Sequence, residues 1–157
     1  MLLRNLKESD YNSIIFVVDE WWGGRHMADK LPRLWFRHFN DTSFTVEENG
    51  DLVGFLMGFI SQSYLDEAYI HFVGVHPNYR KKGIGRRLYL AFFEKVEKNG
   101  CKVIHSITSP INKASINFHT RMGFQLEKGD SKVDRIPVYA NYDGPDQDRV
   151  LFTRIIS

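Results

Sequence analysis

The stretch VGVHPNYRKKGIGRRLY, residues 73–89, joins an apolar run to an amphipathic one through a loop rich in cations and glycine. Arg80, Lys81, Lys82, Arg86 and Arg87 are five of the chain's 21 Lys and Arg residues, so nearly a quarter of them crowd into eight positions. On its N-terminal side AYIHFVGVHP (68–77) reads as a strand, almost wholly apolar and therefore central in a sheet. Gly74 removes a side chain from the middle of it, a sign of a bulge or of close approach by another backbone or a ligand. On the C-terminal side Ile84, Leu88, Ala91, Phe92 and Val96 form the apolar stripe of a helix over 84–98. A helix N-terminus presents unpaired N–H groups and roughly half a positive charge. Glycines there let an anion reach the backbone, and cationic side chains add charge-assisted hydrogen bonds. This is the physics of a pyrophosphate site. A P-loop pattern is absent, and Leu88 takes the third glycine place of a dinucleotide fingerprint.

Outward from this stretch the pattern alternates. SDYNSIIFVVDEWW (9–22) is a helix capped by Ser9 or Asp10 and stopped by Gly23 and Gly24, and DKLPRLWFRHF (29–39) is a second helical segment. SFTVEENGDLVGFLMGFIS (43–61) is a hairpin turning at Asn49-Gly50. CKVIHSIT (101–108) is a strand, and NKASINFHTRMG (112–123) is a helix capped by Asn112 and ended by Gly123. FQLEKG and DRVLFTRII close the chain as strands. The order ααβββαβαββ predicts an α/β (α+β) fold: a mixed, mostly antiparallel sheet of about six to seven strands with helices on both faces.

At 157 residues with no linker or repeat, the chain reads as a single domain over 1–157. A net charge of +2 is too small for a nucleic-acid binder, so the basic cluster is local and no nucleic-acid partner is expected. Cys101 is the only cysteine, which excludes an intrachain disulfide and a Cys-based zinc site; no metal is expected, and Cys101 reads as a small core residue. MLLRNLKESD turns polar at once and no run reaches the roughly 18 apolar residues of a span, so no signal peptide and no membrane are expected and the cytoplasm is the default.

VGVHPNYRKKGIGRRLY resembles the acetyl-CoA signature of the GNAT superfamily of N-acetyltransferases, Arg/Gln-x-x-Gly-x-Gly/Ala, here from Arg80 to Gly85. NKASINFHTRMGF resembles that family's second segment, an Asn-led helix ending in Gly-Phe, in the family's order and separation. The resemblance implies a GNAT-like fold and acetyl-CoA as cosubstrate. It places the pantetheine arm along Val73, Gly74 and Val75, and the pyrophosphate on the backbone N–H groups of Lys81, Lys82, Gly83, Ile84, Gly85 and Arg86, with Arg80 alongside. Asn112, Ser115 and Phe118 fall beside the CoA arm. The reaction implied is direct attack of an amine on the thioester. It needs a neutral amine, an oxyanion donor (Val73 or Val75 N–H), and an acid for the leaving thiolate.

Most family members carry a tyrosine five residues before the Phe of the Gly-Phe pair, where this chain has His119. His119 is thus the candidate acid, and a packed or CoA-facing histidine is its alternative. His71 and Glu67 are candidate bases; His71 shares a strand face with Val73 and Val75 if alternation is strict. Trp21, Trp22, Tyr139 and Tyr142, among Asp19, Glu20, Asp143, Asp146 and Asp148, could frame a cationic amine or simply close the core. The expected partner is a small-molecule amine. A protein lysine or N-terminal amine and a non-catalytic acyl-CoA-binding protein are the alternatives, and a homodimer is compatible with the family.

Overall fold

The computed structural model describes residues 1–156 and holds nine strands and four α-helices among them. They run β1 (Leu2–Asn5), α1 (Asp10–Trp21), α2 (Arg33–His38), β2 (Phe44–Glu48), β3 (Asp51–Ile60), β4 (Glu67–Val75), α3 (Ile84–Lys98), β5 (Val103–Thr108), α4 (Lys113–Arg121), β6 (Gln125–Leu126), β7 (Ser131–Val133), β8 (Ile136–Val138) and β9 (Val150–Ile155). Seven strands make one sheet in the order β1-β2-β3-β4-β5-β9-β6, and β7-β8 is a separate hairpin. The pairs β1-β2, β2-β3, β5-β9 and β6-β9 are antiparallel, so the mixed, mostly antiparallel architecture expected from the element order is found. No helix among the described residues is long and apolar enough to cross a membrane.

Two compact units divide the chain: residues 1–60 with 70–99, and residues 61–69 with the chain from 100 onward. In the first, consecutive residues of β3 show how both sheet faces are covered. A Cβ on Gly54 would lie 2.7 Å from Ile84 Cγ2 of α3, while Phe55 on the opposite face packs on Trp21 of α1 at 6.0 Å between rings. Leu6, Ile14, Val18, Trp21, Leu31, Phe36, Phe55, Met57 and Phe72 form the buried core on the α1 and α2 side. The hairpin turn sits where the sequence puts it, with φ of 53° at Asn49 and 84° at Gly50.

In the second unit His119 of α4 stacks on Phe152 of β9 at 4.3 Å, so α4 covers that face of β5 and β9. Asn112 caps α4, its Oδ1 accepting the Ser115 N–H at 3.1 Å, and Gly123 ends the helix at φ 90°. Cys101 is buried, the core residue expected.

Three details differ from expectation. Ser9 makes no side-chain cap on α1; Asp10 instead accepts from Lys7 N–H at 2.8 Å and is clamped by the Arg4 guanidinium at 2.8 and 2.9 Å. The segment 29–39 is broken at Pro32 into a 3₁₀ turn (Ala28–Lys30) and the short α2, because proline removes the donor that continuity needs. β1 and the β7-β8 hairpin were not expected. The latter turns on Asp134 and Arg135, both with positive φ, where no glycine marks it.

Gly74 is buried, and the space a side chain would take there is filled by aromatic rings. A Cβ there would lie 2.6 Å from Phe55 Cε1 and 3.0 Å from Trp22 Cη2, and its φ is not left-handed. Gly74→Ala should therefore destabilise by about 1–3 kcal/mol through overpacking, read as a lower urea midpoint with unchanged m-value. A Phe55→Leu background should shrink that loss; an equal loss in both backgrounds would place the cost elsewhere.

Candidate functional site

β4 leaves the sheet at Val75, passes a 3₁₀ turn (Pro77–Tyr79), and enters α3 through the glycine loop. His76 fixes the turn, its Nδ1 accepting the Asn78 N–H at 3.0 Å. Lys81 and Gly83 adopt left-handed backbone, φ 63° and 82°, the geometry from which anion nests are built. For Lys81 that conformation costs about 1 kcal/mol, a local strain of the kind found where backbone N–H groups are aimed at a ligand. Gly83 is the N-cap of α3 and, having no side chain, makes no side-chain cap hydrogen bond at this helix end. Lys81, Lys82, Arg86 and Arg87 are exposed around this helix end, and no acidic residue lies in its first turn. The arrangement fits a polyanion such as a pyrophosphate.

Arg80 is committed differently. Its Nη2 donates to the Trp21 carbonyl at the end of α1 at 2.5 Å, and its Nε donates to the Val75 carbonyl at 3.4 Å. It braces the loop rather than offering its fork to an anion, and it neutralises a helix C-terminus. Lys82 Nζ lies 5.2 Å from the Tyr79 ring.

His71 lies face to face on Trp35, 4.3 Å between rings at 3°, and its Nε2 donates to the Lys30 carbonyl at 2.7 Å. Burial lowers its pKa. The next residue, Phe72, stacks on Phe55 and packs on Trp22, so both neighbours touch the aromatic layer of the first unit. Trp21 is 4% exposed and packs on Phe55 and His76; Trp22 is half-buried against Phe72. The tryptophans thus close the core, and Asp19 spends Oδ1 on the Met27 and Ala28 N–H groups.

In the second unit His119 is 5% exposed, stacked on Phe152 and edge-on to Phe124. Its Nδ1 lies 2.8 Å from the Ser115 carbonyl, an acceptor only, so the ring proton sits on Nδ1 and Nε2 carries the lone pair. Burial drives its pKa down to about 4. Phe118 is half-buried and meets His119 edge-on. Tyr139 and Tyr142 stand 6.1 Å apart in the 139–149 loop, with Tyr142 exposed. Two of that loop's three acids are spent internally: Asp143 pairs with Arg149 at 2.9 Å, and Asp148 accepts from Asn141 N–H.

Glu67 is paired with His105, Nε2 to Oε1 at 2.5 Å, and His105 Nδ1 faces Thr153 Oγ1 at 3.2 Å. Sequence reading missed His105, Thr153 and Glu127. The available signal was alternation along CKVIHSIT and VLFTRI, which puts the polar His105 and Thr153 on the faces opposite the buried Ile104 and Phe152.

A family model described as "Acetyltransferase (GNAT) family" matches residues 4–124. The L-2,4-diaminobutyric acid acetyltransferase of Nocardia farcinica is 32% identical over 99 residues, 60% of this chain and 51% of that protein, so the chain spans about half of that relative's length. The diaminobutyrate acetyltransferase from Paenibacillus lautus, solved with L-2,4-diaminobutyric acid and coenzyme A, superposes with TM-score 0.75 at 21% identity, covering 97% of this chain and 92% of that one. The ribosomal-protein-S18-alanine N-acetyltransferase of Escherichia coli superposes with TM-score 0.75 at 20% identity over 99% and 94% of the two chains. The glycine loop, the Asn-led helix and the matched model agree, and the chain belongs to the Acetyltransferase (GNAT) family.

Proposed function

We propose that this chain is an acetyl-CoA-dependent N-acetyltransferase acting on a primary amine of a small molecule. The observation that carries it is the strained, cation-rich loop opening α3, where Lys81 and Gly83 are left-handed and the helix end has no side-chain cap. In this reading the N–H groups from Lys81 to Arg86, with Lys82 at the rim, hold the pyrophosphate, while Arg80 holds the loop. The thioester of acetyl-CoA supplies the activated acyl group. The backbone N–H of Val73 or Val75 donates to the oxyanion. The Asn112 side chain is engaged in capping α4, its Oδ1 accepting the Ser115 N–H.

His119 does not suit the acid role at neutral pH. With its pKa near 4 and its proton on Nδ1 bonded to Ser115, it offers Nε2 as an acceptor. It is better read as a packed group that orders α4 on β9. Glu67, half-exposed, is better disposed as base than His71, whose Nε2–H is held by Lys30 and whose ring is covered by Trp35. A small amine is favoured by the diaminobutyrate-acetylating relative. The structural likeness to an enzyme of a ribosomal protein's alanine supports a peptide amine as the second reading.

Acetyl-CoA or CoA at about a hundred times a micromolar Kd should stabilise by ~2.7 kcal/mol, a rise in Tm of roughly 5 °C or more, with no rise for NAD or ATP. Lys82→Ala should weaken CoA binding roughly tenfold through loss of one charge-assisted contact; no shift with either CoA compound would end the enzymatic reading. CoA thiol release should follow L-2,4-diaminobutyrate and related diamines more strongly than an alanine-led peptide. His119→Gln should keep kcat within about tenfold, whereas a loss of 10²–10⁴ would restore it as general acid. Because the folded His119 pKa lies below the unfolded value, its contribution is complete above pH ~6.5 and is lost as pH falls toward 4. That loss is on the order of 3 kcal/mol, and His119→Gln should flatten the acid side of the stability curve.

A further inference from the structure

Trp35 and Phe39, four residues apart on one flank of α2, lie 4.4 Å from each other between rings. Both approach Phe59 of β3, at 5.8 and 6.0 Å, and His71 of β4 completes the group by lying flat on Trp35. Their neighbour Phe36 is fully buried against Tyr11, whereas Trp35, Phe39, Phe59 and His71 are all half-buried. Core packing thus accounts for Phe36 and leaves a cluster of aromatic surface partly in water, which suits a ligand. Every member belongs to the compact unit of residues 1–60 with 70–99, as does Val73.

His71 gives this cluster a polar atom of fixed direction. The Lys30 carbonyl only accepts, so the ring hydrogen sits on Nε2 and the lone pair on Nδ1. Nδ1 itself makes no hydrogen bond. Among the described residues Thr45 Oγ1 is the one buried side-chain polar atom without a partner, so Nδ1 is open to solvent. Burial favours the neutral ring, and the charge acting on it is the Lys30 ammonium rather than a carboxylate. A second ammonium would meet like charge here, while an uncharged N–H or O–H would find a ready acceptor. Val73 follows two residues along β4, roughly 7 Å of strand away.

We propose that Trp35, Phe39, Phe59 and His71 form the subsite for the non-reacting end of the acceptor, a flat apolar group carrying one uncharged N–H or O–H donor for His71 Nδ1. The inference rests on the acetyltransferase reading above and names the class of small amine it prefers. The rings take the flat body by stacking, and Nδ1 fixes its far end. The amine at the other end then reaches the thioester beside Val73. A phenethylamine skeleton has that length, and the para hydroxyl of tyramine supplies the donor. A bound analogue without that hydroxyl would bury the Nδ1 lone pair unpaired, which is what makes the subsite selective.

The test follows CoA thiol release with propylamine, diaminobutane, phenethylamine and tyramine, and records ¹⁵N NMR of the His71 ring as each amine is added to the CoA-bound protein. kcat/KM should rise from propylamine to phenethylamine and again, by about fivefold, to tyramine, the worth of one hydrogen bond. Diaminobutane should fall below tyramine, and only tyramine should move the Nδ1 resonance upfield. His71→Phe keeps a ring on Trp35 and should bring tyramine level with phenethylamine. Trp35→Leu should cut the phenethylamine-to-propylamine ratio by about fivefold. A tyramine-to-phenethylamine ratio that survives His71→Phe overturns the inference, because a packing or proton-accepting role slows both amines alike. If His71→Phe does not fold, the Nδ1 resonance decides, and one that ignores tyramine overturns it. Acetylation of amines without these preferences overturns the subsite alone; acetylation of no primary amine overturns the enzymatic reading and the subsite together.

Discussion

Phe55 lies against the bare Cα of Gly74, and that contact leaves no room for any side chain at the position from which β4 runs toward the glycine loop. Phe72 is parallel to Phe55 at 5.9 Å, Trp21 tilts onto Phe55, and Trp22 covers Phe72. Large rings bury much apolar area with few rotamers to freeze, so a layer of them makes a stiff support. Arg80 then returns from the loop to the carbonyl of Trp21, which ties the loop to the same layer. Lys81, left-handed at φ 63°, thus follows directly on an anchored neighbour, the condition under which backbone strain persists.

Three histidines show how environment, not residue type, assigns a role. His119 is enclosed by Phe152 and Phe124 and stays neutral. His71 is covered by Trp35 and donates to a backbone carbonyl, and it too is pushed toward neutrality. His105, by contrast, is partly exposed and sits between polar partners, Nε2 on Glu67 and Nδ1 facing Thr153 Oγ1. Desolvation decides the first two.

Much of the fold was legible because its signals are local. The Asn49-Gly50 turn, the stripe from Ile84 to Val96, and the Asn112 cap each need only neighbours in sequence. β1 was not legible: four residues are too few for alternation to show, and Leu2–Asn5 becomes a strand through its register with Glu47 to Phe44. The β7-β8 turn uses Asp134 and Arg135 in conformations for which glycine is the usual marker. At the site, the glycine loop was readable as an anion cradle, but the commitment of Arg80 to Trp21 depends on a partner 59 residues away. The His105 chain escaped for the same reason, since Glu67, Thr153 and Glu127 approach it only through sheet pairing and a return of the chain.

The crowding of Arg80, Lys81, Lys82, Arg86 and Arg87 at a helix end of positive polarity has a consequence for ionic strength. Like charges packed within a Debye length, about 8 Å at physiological salt, repel one another and the helix dipole. Added salt relieves that repulsion in the free chain while it weakens attraction for a polyanion arriving from solution. Arg80, whose bonds run to neutral carbonyls rather than to carboxylates, is indifferent to this screening. The brace therefore keeps its hold across salt concentrations that tune the grip of its cationic neighbours.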